Sequence, residues 1–231
     1  MSLKLWGSIA SPYVARVTMF AHLKGIELDS SPAPGGLGSD EFKKITPTGK
    51  IPALEHDGRL IIESEVICEY LDDVFPESRI TPVDPMLAAQ SRLISRITDL
   101  YVAPHNTPLR PHKDPANRDQ AVVDWVAEEF RKAFDYVEYF MGNESDGPFA
   151  AGTAPSIGDC SLAPFIGMLQ QTVFPYFDEI PDPTVSRPRL KLWWEALHEH
   201  PGTKAGVDEY QRELEKFLAY LAELMAKRGL S

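Results

Sequence analysis

The sequence predicts an N-terminal α/β domain followed by an all-helical domain. Strand and helix patterns alternate over the first 75 residues in the order β-α-β-α-β-β-α. The stretch 76–85 then carries three prolines among polar residues, and no convincing alternating segment follows it. We therefore place a domain boundary in this stretch, with residues 1–78 and 86–231 as the two domains.

The first strand and the first helix are joined by a loop that ends at Ser11. Residues 3–7 alternate apolar and polar side chains, as a half-buried strand does. Helical spacing runs from Pro12 to Lys24, with Pro12 suited to the first helical position and Gly25 to the helix end. Ser11 is thus expected at the N-cap, where free backbone N–H groups and the helix dipole favour an anion such as a thiolate. The alternative is that Ser11 only caps the helix.

Turn formers and apolar spacing indicate the remaining elements. Asp57-Gly58 is a two-residue hairpin signal between apolar segments. The other predicted elements of the first domain are a strand at 26–29, a helical turn near 39–45, hairpin strands at 51–56 and 59–63, and a helix at 64–74. In the second domain we predict helices at 85–103, 115–141, 156–171, 187–200 and 206–228, with Asp159 satisfying free amides where the third of them begins.

Composition excludes several classes of function. The net charge of −11, with no cluster of Lys and Arg, argues against nucleic acid as a partner. No apolar run reaches the roughly 18 residues that a membrane span needs, and the N-terminus lacks a secretion signal. Cys68 and Cys160 lie far apart and lack the spacing of a zinc ribbon or a redox dithiol. These observations predict a soluble cytoplasmic protein without a bound metal.

Three segments, taken in order, resemble the glutathione transferase superfamily. Residues 6–17 read WGSIASPYVARV, a serine version of that family's active-site loop and first helix that is most similar to the tau class. Residues 46–54 read TPTGKIPAL, with a Thr where the family usually has Asn. Residues 63–71 read ESEVICEYL, similar to the start of the family's third helix. The resemblance implies a thioredoxin-like first domain, glutathione as co-substrate, a role in detoxification and a homodimer.

The resemblance also implies roles for individual residues. Ser11 would activate the glutathione thiol, and Ile51 would pair its backbone N–H and C=O with the cysteinyl unit, next to a candidate cis bond to Pro52. Ser64 can cap the third helix, whose free N–H groups would receive the γ-glutamyl carboxylate. Glu63 would pair with the γ-glutamyl ammonium group. Lys50 is a candidate contact for the glycyl carboxylate; the alternative is a solvated side chain.

Two other residues compete with Ser11 for the role of thiol activator. Ser8 could assist from the loop. Tyr13 is a poor match, because the tyrosine used by some classes of the family precedes the helix by several residues. A Cys stands at the position of Ser11 in the thiol-transferring classes, so the serine argues against a mixed disulfide with glutathione.

The predicted reaction is attack of the glutathione thiolate on a hydrophobic electrophile held in a cleft between the domains. Residues 101–106 are expected to line the side of the cleft that receives this substrate. Two alternatives stay open at this point. One is a glutathione-dependent isomerase, dehalogenase or ether-cleaving enzyme of a catabolic pathway, and the other is a non-catalytic binding module of the kind found in transcription or translation factors.

Overall fold

The N-terminal part of the chain forms a mixed four-stranded sheet with helices beside it, as predicted. A computed structural model describes residues 3–142 and 146–227, and within them the strands are β1 (Leu3–Trp6), β2 (Asp29–Ser31), β3 (Ala53–His56) and β4 (Arg59–Ile62). Their order in the sheet is β2-β1-β3-β4, with β1 parallel to β2 and antiparallel to β3. The helices of this part are α1 (Pro12–Lys24), α2 (Asp40–Lys43) and α3 (Ser64–Val74).

The hairpin between β3 and β4 has the predicted turn. Asp57 and Gly58 both have positive φ, 47° and 78°, which is the requirement of a tight two-residue hairpin turn. Backbone pairing then runs from His56 opposite Arg59 to Ala53 opposite Ile62. The turn therefore fixes the register that brings β4 to the start of α3.

The second strand was predicted at 26–29, and this is wrong by about three residues. The chain at Ile26 is still tied to the end of α1, because its N–H donates to the carbonyl oxygen of Ala21 at 2.9 Å. Gly25 supplies the left-handed backbone, with φ 67°, that this helix ending needs. The strand can pair with β1 only from Asp29 onward.

The C-terminal part is helical, and one buried helix lies at its centre. Its helices are α4 (Pro85–Ile97), α5 (Asn106–Leu109), α6 (Gln120–Met141), α7 (Ile157–Thr172), α8 (Pro183–Ser186), α9 (Pro188–Glu199) and α10 (Pro201–Lys227). α7 packs against α1, α4 and α10, and most of its residues are buried. Within residues 3–142 and 146–227, no helix is both long and apolar enough to cross a membrane.

Three predicted helix boundaries moved for identifiable reasons. The helix predicted at 85–103 ends as α4 at Ile97 and continues as one π-helical turn, Thr98–Val102, which precedes a proline that cannot donate a backbone hydrogen bond. α6 begins at Gln120 rather than 115, since Asp119 caps it. α10 begins at Pro201 rather than 206, and the short helices α5 and α8 carried too little periodicity to be predicted.

Asp159 joins three segments of the buried core. Its carboxylate accepts hydrogen bonds from the backbone N–H groups of Ala150 and Ser156, each at 2.8 Å, and from the indole N–H of Trp193 at 2.9 Å. The side chain is fully buried. The predicted role at the start of α7 is confirmed, and the bond to Trp193 extends it to α9.

We expect Asp159→Ala to lower the free energy of unfolding by about 3 kcal/mol, because it leaves several buried donors without an acceptor. The matched control is Asp84→Ala, which removes the exposed cap of α4 and should cost about 1 kcal/mol. Chemical denaturation measures both. Equal losses in the two variants would contradict the structural role assigned to Asp159.

A buried ion pair ties the end of α1 to the segment after α3. Lys24 Nζ donates to Asp72 Oδ1 at 2.8 Å and to the carbonyl oxygens of Phe75 and Ser78. Asp72 also accepts from the backbone N–H groups at 80 and 81. Burial alone would raise the pKa of Asp72, but these hydrogen bonds outweigh it and the pKa is lowered.

Because the pKa of Asp72 is lower in the folded protein, its contribution to stability is complete above the ordinary carboxyl range and is lost as the pH falls through the folded value. Asp72→Asn leaves Lys24 buried without a counter-charge and should cost about 3 kcal/mol at pH 7. Denaturation at several pH values should show that the difference in free energy of unfolding between wild type and Asp72→Asn becomes smaller below about pH 4. The control Asp208→Asn breaks an exposed pair and should cost less than about 0.5 kcal/mol. A difference in free energy of unfolding that does not change with pH would contradict the pairing of an ionised Asp72 with Lys24.

Candidate functional site

A cleft of about 280 Å³ lies where the first turn of α1, the loop before β3, the start of α3 and the end of α4 meet. Four of the five predicted site residues line it, namely Lys50, Ile51, Glu63 and Ser64. Their places in the sequence are up to 14 residues apart, and the fold brings them to one surface. The cleft therefore joins the two motifs that were expected to bind glutathione.

Ser11 is the predicted residue that does not line this cleft in the described structure. It is half-buried at the N-cap of α1, two residues before Tyr13, which does line the cleft. Its backbone carbonyl accepts from the N–H of Ala15, while its side chain makes no capping hydrogen bond. The simple alternative, that the Ser11 hydroxyl serves as the cap of α1, is therefore not what the structure shows.

The loop before β3 is held close to the rest of the domain by two glycines. Gly38 N–H donates to the carbonyl oxygen of Gly49 at 2.9 Å, and a Cβ at Gly49 would lie 3.0 Å from the Gly38 Cα. Gly49 also has φ 62°, a left-handed conformation that favours glycine. The bond between Ile51 and Pro52 is cis, as predicted. Lys50 is exposed at the edge of the cleft.

The start of α3 differs from the prediction. Glu63 has φ 68° and occupies the N-cap position, so Ser64 is already the first helical residue and does not cap the helix. The Ser64 hydroxyl instead accepts a hydrogen bond from Arg16 Nη1 at 2.9 Å. A helix start leaves backbone N–H groups without helical partners, so an anion in the cleft can still bind there.

Arg16 and Asp99 are functional candidates that the sequence analysis missed. Arg16 is buried and donates to both carboxylate oxygens of Asp99, at 3.1 and 2.5 Å, as well as to Ser64. Burial alone would lower the pKa of Arg16, but the hydrogen bonds and charge of Asp99 raise it, so the guanidinium stays charged. The one available signal was an Arg within the apolar run Val14-Ala-Arg-Val17.

Tyr13 lines the cleft, although its position in the sequence is a poor match for a thiol activator. Its ring packs edge to face on Phe165, with centroids 5.1 Å apart. Burial raises the pKa of its phenol, and the charges of Asp99 and Glu63 raise it further against the opposing effect of Arg16. The phenol therefore stays protonated at neutral pH and can donate a hydrogen bond but cannot act as a base.

Apolar side chains from outside residues 101–106 pack near the loop that carries Ser11. Ile9, in the loop before α1, and Met168 of α7 are partly buried and pack against a small cluster that includes the buried Leu214 of α10. Asn106 touches this group by donating to the sulfur of Met168 at 3.5 Å. Tyr101 is instead 45% exposed, with its ring against Tyr136. The apolar side chains of α7 and α10 carried no distinguishing motif, so they could not be selected from the sequence.

Comparison with known proteins bears on this site. Residues 5–79 match the family described as Glutathione S-transferase, N-terminal domain, and residues 115–196 match its C-terminal domain. Protein LigF from a Sphingobium strain is 43% identical over 108 residues, which is 44% of this chain and 41% of LigF. Glutathione S-transferase L3 from Arabidopsis thaliana is 29% identical over 86% of this chain and 79% of that protein.

Solved structures of glutathione transferases and of a beta-etherase are similar to this chain over a longer part of its length. The Tau class glutathione S-transferase of mango, Mangifera indica, superposes with a TM-score of 0.76 and 25% identity, covering 95% of this chain and 98% of its own. Beta-etherase LigF from Sphingobium superposes with a TM-score of 0.71 and 25% identity, covering 90% of this chain and all of LigF. The similarity thus extends over both the sheet and the helical part.

Proposed function

The chain belongs to the glutathione S-transferase superfamily, and from this premise we propose that it binds glutathione in the cleft beside α3 and uses the thiolate to attack a hydrophobic electrophile. The observation that carries the proposal is that Lys50, Ile51, Glu63 and Ser64 all line this one cleft. The presence of Ser11 together with Glu63 and Ser64 favours an enzyme over a non-catalytic binding module. Assignment to the tau class, a homodimer and a cytoplasmic detoxification role stay predictions.

The charges along the cleft suit each part of the tripeptide. The γ-glutamyl carboxylate would lie at the backbone N–H groups that begin α3, beside the Ser64 hydroxyl, with its ammonium group against Glu63. The cysteinyl unit would pair with the backbone of Ile51, and the glycyl carboxylate would lie near Lys50. This orientation directs the thiol toward the first turn of α1.

We propose that Ser11 stabilises the thiolate by donating its hydroxyl proton in a hydrogen bond to the sulfur. A free thiol titrates near pH ~8.5, and lowering its pKa by two units requires about 2.7 kcal/mol. A hydrogen bond to a charged group supplies roughly 1.5–3 kcal/mol, and a helix N-terminus supplies up to about 2 kcal/mol. Ser11 lies at the start of α1 and its side chain makes no capping hydrogen bond, so both the hydrogen bond and the helix N-terminus can stabilise a thiolate there.

The second substrate would lie against the partly buried side chains of Ile9 and Met168. The sulfur forms a bond to an electrophilic carbon, and the group that it displaces leaves with its bonding electron pair. Proximity and exclusion of water provide the acceleration, so no proton-abstracting side chain is needed for the attack itself. Electrophiles that accept the sulfur by addition would use the same site.

Cleavage of an ether is the second candidate reaction, and the similarity to beta-etherase LigF favours it. In that reaction the leaving group is an alkoxide or phenoxide, which takes up a proton. An aromatic ether that releases a fluorescent phenol separates the two candidates. Release of one phenol from the ether per glutathione consumed supports ether cleavage. If the protein conjugates a chlorodinitrobenzene but releases no phenol from the ether, general conjugation is supported.

We expect Ser11→Ala to lower kcat/KM by about 100-fold, because it removes a hydrogen-bond donor aimed at the charged sulfur. Tyr13→Phe tests the competing donor, because it removes the phenol that lines the cleft, and it should change kcat/KM by less than about threefold. The assay is glutathione conjugation of the chlorodinitrobenzene. Full activity in Ser11→Ala, or a large loss in Tyr13→Phe alone, would show that Ser11 is not the residue that activates the thiol.

Glu63→Gln should act on binding rather than on chemistry. It removes the negative partner of the γ-glutamyl ammonium group, so the KM for glutathione should rise about tenfold while kcat changes little. Glu41→Gln, an exposed change on α2, is the control and should leave both constants unaltered. Steady-state kinetics with varied glutathione checks this, and a fall confined to kcat would contradict the assigned contact.

A further inference from the structure

We infer that Arg96 is a further glutathione-binding residue, which holds the γ-glutamyl carboxylate from the side opposite the start of α3. Arg96 lies on the last turn of α4 and lines the same cleft as Glu63 and Ser64. The inference rests on the proposed binding of glutathione in this cleft. It adds a contact from the helical part of the chain to the contacts supplied by the thioredoxin-like part.

The guanidinium of Arg96 has donors available for a ligand. Its side chain is 54% exposed, and the one ion pair it makes within residues 3–142 and 146–227 is to Asp99 Oδ2 at 3.7 Å. That distance is too long for a hydrogen bond. Asp99 already accepts two hydrogen bonds from the buried Arg16, so its charge is shared between two cations and Arg96 keeps its hydrogen-bond donors for a ligand.

Arg96 also lies close to the first turn of α3. Burial is the largest influence on the pKa of Glu65 and raises it, while the charges of Arg16 and Arg96 lower it. Glu65 directly follows Ser64 in the sequence. The contacts from Ser64 to Arg16 and from Arg16 to Asp99 bring the end of α4 to the same place.

The charged side chains of the cleft offer a counter-charge to each charged group of the glutathione backbone. Lys50 and Arg96 are the positive residues that line the cleft, and Glu63 and Asp99 are the negative ones. Asp99 is already paired with the buried Arg16. Glutathione has two carboxylates and one ammonium group, which match the two cations and the remaining carboxylate, Glu63. With the glycyl carboxylate at Lys50 and the ammonium group at Glu63, the γ-glutamyl carboxylate is left for Arg96.

The test compares two ligands and two variants by titration calorimetry. The ligands are glutathione and 4-aminobutyryl-cysteinylglycine, which keeps the ammonium group and lacks the γ-glutamyl carboxylate. Arg96→Gln should weaken glutathione binding about tenfold and leave binding of the analogue within about twofold of wild type. Arg92→Gln, one turn earlier on α4 and paired with Glu69 outside the cleft, is the control and should bind glutathione as wild type does.

The outcomes separate this inference from the proposed function. If wild type binds glutathione and Arg96→Gln binds it equally well, or if the variant weakens both ligands by the same factor, the assignment of Arg96 is wrong and the proposed function stands. If wild type binds neither ligand, the proposed function fails first. If Arg96→Gln raises only the KM of the electrophile, Arg96 binds the second substrate rather than glutathione, and the inference is overturned.

Discussion

Arg16 is the side chain on which the geometry of the cleft depends. It is a buried cation in the middle of α1, and it bonds to Ser64 at the start of α3 and to Asp99 in the π-helical turn after α4. A buried charge is tolerated only with a well-aligned partner, since its desolvation costs several kcal/mol. The ion pair therefore holds three elements in one arrangement, and these elements line the site.

Two helix starts define the polarity of the site. The thiol would lie at the start of α1 and the γ-glutamyl carboxylate at the start of α3, so each negative group meets backbone N–H groups that have no helical partner. The positive φ of Glu63 places these N–H groups at the end of β4 without a conventional cap. Such a conformation in a residue other than glycine is costly and is often retained at functional sites.

Much of the fold followed from the sequence, because its signals are local. The hairpin turn at Asp57-Gly58 and the anchor at Asp159 depend on neighbouring residues and were predicted correctly. The start of β2 was not, because the bond from Ile26 to Ala21 is a detail of one helix ending. Lys50, Ile51, Glu63 and Ser64 were selected through motifs, whereas Arg16, Asp99 and Arg96 acquire their roles from contacts between distant segments. Long-range pairing of charges has no fixed sequence spacing, so a single sequence does not display it.

The central claim is that this cleft and the start of α1 together hold glutathione as a thiolate. The most direct measurement is a pH titration of the ultraviolet absorbance of the thiolate in the complex of the wild-type protein with glutathione. The account predicts a midpoint at least about two units below the ~8.5 of a free thiol, and a return toward that value in Ser11→Ala. A bound thiol that titrates like free glutathione in the wild-type protein would contradict it.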